Sequence, residues 1–374
     1  MPGVLDCITV LDLSNEIAGP YASMLMSCMG ARVIKVEPPG GSPERTDPRF
    51  YLWNRGKESL TLDLQSTEGQ HTIRKIANNM DILIHNWRPS NTIALGLDYS
   101  SLKLTNPRLI YCAIPPYSEV SPQAEDPGDH YSVSADMGVF GDQTSAEGPS
   151  FVYQPLVAYG TAFTLCLAVS AALYVREAEG VAQRVEVSLQ QGALAMQSAG
   201  FISGPSLQGG RGTSLRQGIR VGIPIYRLYR AMDGWFFLAC GNNTFFNKLC
   251  ILIQRPELVE DQRFRDAPWG IPSEHYDALS DILEPIFERN TVSYWVELLR
   301  ENDIPCAPVQ RREQYIEHPQ IAVNEMMVTV DDPTLGPSLQ MGVPIWMHGA
   351  PGFIPSPAPL PGSHTTQIID EFIL

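Results

Sequence analysis

The sequence lacks paired cysteines, basic stretches and long apolar runs. Its seven cysteines are scattered singly without a C-x-x-C pair, which predicts buried, reduced thiols rather than disulfides. The net charge is −15 and no Lys/Arg-rich segment occurs, so nucleic acid and anionic lipid surfaces are disfavoured as general partners. No run of 18 apolar residues is present, and the first residues do not resemble a signal peptide. We therefore expect a soluble, cytoplasmic protein.

Several well-known catalytic and cofactor motifs are also missing. The first β-to-α turn carries Ala18-Gly19-Pro20 instead of G-x-G-x-x-G, which removes support for a dinucleotide cofactor. The chain contains no G-x-x-x-x-G-K-[ST] loop, H-E-x-x-H helix or G-x-S-x-G elbow. Its seven histidines are isolated from one another and from the cysteines, so the sequence predicts no metal site.

The apolar periodicity predicts an α/β fold for the first part of the chain. Strands are predicted at residues 8–13, 32–37, 59–64, 82–85, 109–113 and 183–187. Helices are predicted at residues 21–30, 67–78, 158–175 and 189–198. Alternation of this kind is typical of a parallel sheet that is covered by helices.

The second part of the chain has a different pattern. Residues 225–310 predict a smaller α+β domain, with a strand at 235–239 and helices near 245–253, 276–290 and 292–302. A glycine-rich stretch at 204–212 is a candidate lid or an exposed linker. The proline-rich tail from about residue 315 is predicted to be irregular, with a short helix near 366–372.

Three polar clusters remain as candidate sites. They are Asn-Arg-Gly-Lys at residues 54–57, Asn-Trp-Arg-Pro at 86–89 and Asp-Pro-Gly-Asp-His at 126–130. Each cluster alone is more typical of a solvated turn than of a functional site.

Taken together and in order, these clusters and other short segments resemble the class III CoA-transferase family. The matching segments include residues 10–14 (VLDLS), 18–21 (AGPY), 30–37 (GARVIKVE), 54–57 (NRGK), 86–89 (NWRP), 106–112 (NPRLIYC), 185–189 (VEVSL), 304–309 (IPCAPV) and 318–320 (HPQ). They extend over essentially the whole chain. The sequence is thus similar to formyl-CoA transferases, carnitine CoA-transferases and α-methylacyl-CoA racemases, and the resemblance implies coenzyme A, as a thioester, for the substrate.

The resemblance also implies an architecture. We expect a large Rossmann-like domain beginning with residues 1–215, a small α+β domain at 216–315, and a C-terminal segment at 316–374 that returns to the large domain. Two subunits of this family interlock like links of a chain, so the partner would be a second copy or a paralogous subunit.

Binding residues for coenzyme A follow from the same resemblance. They are Asn15, Ile17, Ala18, Leu62, Asp63, Leu64, Gln65, Asn86, Trp87, Arg88, Pro127 and Gly128. Arg88 is the main candidate for a phosphate contact, because a guanidinium can donate two parallel hydrogen bonds; a surface ion pair is the alternative. Pro38 and Ala94 stand where related transferases often carry phosphate-binding arginines.

One departure from the family pattern concerns the nucleophile. In the family's transferases an aspartate at the start of the long central helix attacks the thioester and forms an acyl-enzyme anhydride. Counting residues without a gap between this helix start and the matching segment at 185–189 places Ala158 at the position of that aspartate. Loss of a nucleophile typically costs about 10⁶ in rate. The sequence therefore predicts that the ordinary anhydride mechanism does not operate.

Three hypotheses remain open. The chain is an enzyme with relocated chemistry, in which Asp129, His130, Glu16 or Tyr159 acts on the acyl-CoA by isomerase, lyase or non-covalent transferase chemistry. It is the non-catalytic subunit of a heteromeric CoA-transferase. It is a protein that binds a CoA thioester without chemistry.

Overall fold

The computed structural model describes residues 3–142, 144–145, 148–198 and 222–373. The described residues form two compact units. The first contains residues 3–140, 152–198 and 318–373, and the second contains the described parts of 141–151 and 222–317. The glycine-rich stretch at 204–212 lies outside the described residues.

The strands are distributed over the whole described chain. They are β1 (Thr9–Asp12), β2 (Arg32–Glu37), β3 (Glu58–Thr61), β4 (Ile82–His85), β5 (Ile110–Ala113), β6 (Thr144–Ser145), β7 (Gly148–Pro149), β8 (Arg184–Glu186), β9 (Tyr226–Arg230), β10 (Trp235–Ala239), β11 (Cys306–Pro308), β12 (Met327–Asp332) and β13 (Gly336–Met341).

In the first unit helices alternate with these strands, and the second unit contains helices as well. They are α1 (Ala18–Cys28), α2 (Arg49–Trp53), α3 (Thr67–Ala77), α4 (Pro89–Leu95), α5 (Tyr99–Thr105), α6 (His130–Asp136), α7 (Val139–Asp142), α8 (Leu156–Glu179), α9 (Leu189–Met196), α10 (Asn243–Leu252), α11 (Tyr276–Phe287), α12 (Val292–Glu301), α13 (Arg312–Ile316), α14 (Pro319–Val323) and α15 (Thr365–Ile373).

A six-stranded parallel sheet organises the first unit. Its strand order is β3-β2-β1-β4-β5-β8, which is the order of a doubly wound Rossmann sheet. The α/β prediction is therefore confirmed. Both faces of the sheet are covered by apolar clusters, one formed with α1, α8 and α9 and the other with α3 and α15. This double burial explains why the strands read as nearly continuous apolar runs.

Helix α1 begins earlier than the sequence predicted. The periodicity placed its start at residue 21, whereas the helix includes Ala18, Gly19 and Pro20. Proline is compatible with the first turn of a helix, because its missing N–H would have no partner there. The loop after β1 is consequently short.

The long helix α8 forms part of the core of the first unit. Among the described residues it is a helix long and apolar enough to span a membrane by length and composition, although half of its most apolar stretch is buried. Val157, Ala162, Leu165 and Val169 are among the buried residues that it contributes to the core. This burial is typical of a core helix, which can have the same length and composition as a membrane-spanning helix.

The C-terminal tail was predicted to be irregular with a short helix near 366–372. The helix agrees with α15, but the irregular prediction was wrong for residues 319–341, which contain α14, β12 and β13. β12 and β13 form an antiparallel hairpin, in which Met327 pairs with Met341 and Asp332 with Gly336. Gly336 has φ of 72°, a left-handed conformation that suits a tight turn. The proline content of the neighbouring segments hid the short alternating strands.

The second unit is built around an antiparallel sheet with the order β11-β10-β9. Helices α10, α11 and α12 supply the rest of its apolar core. The predicted strand at 235–239 agrees with β10, and the three predicted helices agree with α10 to α12 within a few residues at their ends.

Candidate active site

The candidate site lies where the carboxyl ends of β1 and β4 meet. The chain leaves β1 toward β2 on one side, whereas β4 lies on the other, so a crevice opens at this switch point. The Asn15 N–H donates to Asn86 Oδ1 at 3.1 Å, and Asn86 Nδ2 donates to the Asn15 carbonyl at 3.3 Å. This reciprocal pair joins the two loops at the crevice.

Two hollows adjoin at this edge of the sheet. The first, which we call the inner cavity, is lined by Asn15, Glu16, Ile17, Ala18, Gly19, Asn86, Ile114, His130, Ala158 and Leu189. The second, the outer groove, has a volume of about 220 Å³ and is lined by Leu13, Asn15, Val36, Glu37, Pro38, Pro39, Leu62, Asp63, Leu64, Gln65 and Trp87. Asn15 belongs to both. Most of the residues that the family resemblance implicated thus come together at one place.

Glu16 is held in an uncommon backbone conformation in the loop after β1. Its φ is 65°, in the left-handed region that non-glycine residues seldom adopt. The Glu16 N–H donates to Glu44 Oε1 at 2.7 Å, which fixes the loop against the turn after β2. Because a non-glycine residue at this φ is unfavourable, the surrounding hydrogen bonds must hold it.

The carboxyl of Glu16 is electrostatically perturbed. Partial desolvation of the carboxyl by the surrounding protein, with further repulsion from Asp129 and Glu44, raises the pKa of Glu16 to about 7. The residue remains accessible to solvent and lines the inner cavity. A carboxyl with this pKa exists in both protonation states near neutral pH, as a general acid or base must.

His130, the first residue of α6, lines the same cavity. Both of its ring nitrogens are shielded from solvent and have no hydrogen-bond partner among the described residues. Burial lowers the pKa of His130, and Arg49 acts in the same direction, while Asp129 opposes the shift. The imidazole is therefore neutral at physiological pH, with one N–H and one lone pair available to a ligand.

Asp129 has a different environment from its neighbour in sequence. It is the N-cap of α6, and its Oδ1 accepts a hydrogen bond from the Ser132 N–H at 2.7 Å. Burial would raise its pKa, but the hydrogen bonds from Ser132 and the nearby His130 lower the pKa of Asp129 below its ordinary value. This contact gives Asp129 a helix-capping role. Its catalytic role stays a prediction.

Ala158 lies in the first turn of α8, is 1% exposed and lines the inner cavity. Its side chain offers no polar atom to a ligand. The next residue, Tyr159, packs its ring edge-on against Tyr21, with centroids 5.1 Å apart. Burial raises the pKa of Tyr159, so its phenol stays neutral. Tyr159 is not among the residues that line the two hollows.

Four other predicted residues, Asp129, Arg88, Pro127 and Gly128, also lie outside the two linings. Arg88 is the N-cap residue of α4, is half-buried, and its side chain has no hydrogen bond or ion pair with the described residues. Gly128 follows Pro127 and lies against Pro116, where an added Cβ would come within 2.8 Å of the proline Cβ. Pro38 belongs to the outer groove, whereas Ala94 is exposed on α4.

The sequence analysis gave no individual role to four residues beneath and beside the loop, although it included Lys57 in the polar cluster at 54–57. Glu44 bonds the Glu16 N–H, and Asp12, Lys35 and Lys57 form a buried group that we call the ion cluster. A signal for the cluster was present, because Asp12 and Lys35 interrupt apolar strands of a sheet that is buried on both faces. Charged residues in such strands need buried partners.

The described residues contain no group of three or more His, Cys, Asp or Glu side chains that could hold a metal ion.

Comparisons with known proteins agree with this architecture. The chain is 31% identical over 346 residues to a "probable fatty acyl-CoA transferase" of Mycobacterium tuberculosis, covering 87% of each chain. It is 28% identical over 348 residues to the acetyl-CoA:oxalate CoA-transferase of Acetobacter aceti, covering 87% of this chain and 86% of the relative. The crystal structure of the Mycobacterium tuberculosis protein superposes with a TM-score of 0.87 at 29% identity, over 98% of this chain and 99% of that one.

The sequence model described as CoA-transferase family III matches residues 5–365. This range includes β1, the residues that line both hollows, and the whole second unit. The chain therefore belongs to CoA-transferase family III.

Proposed function

We propose that this chain binds an acyl-CoA thioester at the carboxyl edge of the sheet and moves a proton at the acyl carbon next to the thioester carbonyl. One observation carries the proposal. Glu16 and His130, two titratable groups with displaced pKa values, face the same small cavity as Ala158. Pairs of this kind cluster at sites of proton transfer.

The two groups suit different parts of the reaction. The Glu16 carboxylate removes a proton from the carbon beside the carbonyl, and the electron pair moves to the carbonyl oxygen to give an enolate. The neutral His130 ring donates its N–H to that oxygen, since a neutral imidazole is a matched donor for an enolate. The proton on Glu16 exchanges with solvent, to which this side chain is accessible, and Glu16 then protonates the enolate carbon; the thioester bond stays intact throughout.

The outer groove supplies a place for the coenzyme. Leu62, Asp63, Leu64, Gln65 and Trp87 line it beside Asn15, the residue shared with the inner cavity. A thioester in the inner cavity would then continue into the groove. This arrangement agrees with relatives that act on CoA thioesters.

A local cation is needed because the protein carries a net charge of −15. Arg88 follows Trp87 in the sequence and has no competing carboxylate among the described residues. We therefore assign Arg88 to a coenzyme phosphate, which a guanidinium can bind through two hydrogen bonds.

Deuterium exchange at the acyl carbon tests the proposal. The protein is incubated in D₂O with a panel of acyl-CoA thioesters, and the mass of each acyl group is followed. We expect deuterium uptake by the wild-type protein and a decrease of about 10²- to 10⁴-fold for Glu16→Gln. His130→Asn should also slow the exchange.

Glu68→Gln, an exposed change in the first turn of α3, is the matched control and should leave the rate unchanged. Equal rates for the wild-type and Glu16→Gln proteins would contradict the proposal. Transfer of CoA to an added carboxylate, with Glu16 trapped by hydroxylamine, would replace it with covalent catalysis.

A second candidate function follows from Ala158. A buried alanine where the family's transferases carry the nucleophile is compatible with a subunit whose paralogous partner carries that nucleophile. We propose an interlocked dimer in either case. Native mass spectrometry after co-expression with a paralogue distinguishes a mixed dimer, which this candidate requires, from a homodimer that catalyses exchange alone.

A further inference from the structure

Five consecutive residues of the inner cavity lie between two anchored carbonyl groups. Residues 15–19 line the cavity, and the carbonyls that flank them belong to Ser14 and Pro20. The Lys35 ammonium donates to the Ser14 carbonyl, and Lys57 Nζ donates to the Pro20 carbonyl at 3.0 Å. We call residues 15–19 the cavity loop, although the last two of them begin α1. The carbonyl on each side of this loop is thus bound by a different buried lysine.

Asp12 joins the two lysines to each other. Lys57 Nζ lies 2.9 Å from Asp12 Oδ2, and Lys35 Nζ lies 3.7 Å from Asp12 Oδ1. Asp12 Oδ1 also accepts hydrogen bonds from the Ser14 N–H, at 3.0 Å, and from the Ser14 hydroxyl, at 2.5 Å. The ion cluster therefore bonds directly to Ser14 and Pro20, the residues that flank the cavity loop.

The loop also packs closely against itself. A Cβ added to Gly19 would lie 2.0 Å from Ser14 Oγ, which leaves no room for another side chain. The Asn15 and Glu16 N–H groups are bonded by Asn86 and Glu44. The loop is thus fixed from beneath by the ion cluster and from the side by these two residues.

Stability alone does not account for the cluster. All three of its side chains are at most 1% exposed, and two ammonium groups share one carboxylate. Burial lowers the pKa of Lys57 to about 8 despite its contact with Asp12, so keeping this lysine charged is costly. Apolar residues of similar volume usually give equal or better stability than a buried ion pair.

We propose that Lys35 and Lys57 are positioning residues that hold the two ends of the cavity loop and so fix where Glu16 meets a ligand. The catalytic consequence rests on the proposed function. The rigidity of the loop does not, because it depends only on the two carbonyl contacts.

Hydrogen exchange of the backbone amides tests the rigidity. The variants Lys35→Met and Lys57→Met each leave the Asp12 carboxylate with one ammonium group, so the charges of the remaining pair cancel. We expect the amides of residues 15–19 to exchange at least about tenfold faster in both variants, with unchanged protection in β4 and β5.

Lys248→Met is the matched control from the second unit. Lys248 Nζ donates to the Asn302 carbonyl at 2.9 Å and lies 3.2 Å from Asp303 Oδ2, so the change removes the same kinds of contact. It should not alter the exchange of residues 15–19. If a methionine variant does not fold, Lys35→Gln or Lys57→Gln takes its place. The glutamine side chain is uncharged and one bond shorter, so it weakens the carbonyl contact, and the same criterion applies.

A kinetic split separates positioning from general stability. We expect kcat for acyl-carbon exchange to fall about 10- to 100-fold in both lysine variants, with little change in KM, because the loop is displaced but the outer groove is intact. Wild-type rates of amide exchange at residues 15–19 in both folded variants would overturn the positioning proposal. Faster amide exchange combined with a wild-type protein that shows no acyl-carbon exchange would instead overturn the proposed function alone.

Discussion

The two units of the protein stabilise their interiors in contrasting ways. The first buries the ion cluster of Asp12, Lys35 and Lys57 within its parallel sheet. The second is filled by an aromatic core consisting of Tyr229, Phe236, Phe287 and Trp295. In that core the centroid of the Phe287 ring lies 4.6 Å from the ring centroid of Tyr229, 5.2 Å from that of Phe236 and 5.1 Å from that of Trp295.

The difference shows what each kind of interior can do. An aromatic core gains stability from apolar area and ring contacts, but it does not direct a particular backbone carbonyl. Ammonium groups bind carbonyls at defined positions, at the cost of desolvation. The ion cluster of Asp12, Lys35 and Lys57 occurs in the unit that carries the candidate active site, directly below the loop that must be held.

Asp12→Asn should produce the largest effect, because it leaves two buried ammonium groups without their carboxylate. We expect the free energy of unfolding to fall by about 3–5 kcal/mol. Asp47→Asn, in a solvent-exposed pair with Arg49, is the control and should cost less than about 1 kcal/mol. Urea denaturation of both variants measures the difference, and equal losses would show that the ion cluster has no special weight.

The effect of Asp12→Asn should also depend on pH. Burial raises the pKa of Asp12, but Lys35, Lys57 and the serine hydroxyls overcome this and hold it well below its usual range. Stability due to Asp12 is therefore complete above about pH 4, the pKa of an unfolded aspartate, and is lost as the pH falls through the lower folded value. The gap between the two proteins should narrow in acid, where Asp12 of the wild-type protein becomes protonated.

Phe287→Leu should have an intermediate effect on the second unit. The ring is fully buried and contacts three other aromatic residues, so we expect a loss of about 1–3 kcal/mol that does not depend on pH. Tyr294→Leu provides the control, since the Tyr294 ring packs edge-to-face against Trp295 but Tyr294 is 47% exposed. Thermal unfolding at pH 5 and pH 8 compares the two, and a pH-dependent loss for Phe287→Leu would break the contrast between the units.

Glu16→Gln should produce the smallest effect on stability. The pKa of Glu16 in the folded protein, about 7, lies above the pKa of an unfolded glutamate. The contribution of Glu16 to the free energy of unfolding is therefore present at low pH and is lost as the pH rises to about 7. The variant should gain stability relative to the wild-type protein between pH 5 and pH 8. After allowance for solvent screening, the gain is below about 1 kcal/mol. Glu68→Gln should show no such trend in the same thermal melts.

Much of the fold could be predicted from the sequence. The strands of the parallel sheet, the long central helix and the helices of the second unit are marked by apolar periodicity, which is a local property. The short helices α4, α5 and α6 and the hairpin β12-β13 could not be found in this way. They depend on caps such as Asp98 and Asp129 and on pairing between strands, which local apolar patterns mark weakly.

The candidate site could be predicted in part. The family resemblance selected the loops after β1, β3 and β4 and the segment at 126–130, and the structure brings residues from each of them to the two hollows. It did not distinguish Asp129, which caps α6, from His130, which faces the cavity. That distinction depends on the direction of two adjacent side chains at a helix start, which sequence order does not reveal.

The sequence by itself determined the strands of the parallel sheet, the longer helices and the membership of CoA-transferase family III, because apolar periodicity and ordered motifs are local features of the chain. Only the tertiary structure decided that Glu16, His130 and Ala158 share one cavity and that Lys35 and Lys57 bind the ends of one loop. These residues are far apart in the sequence, and the parallel sheet brings them together by aligning the carboxyl ends of its strands.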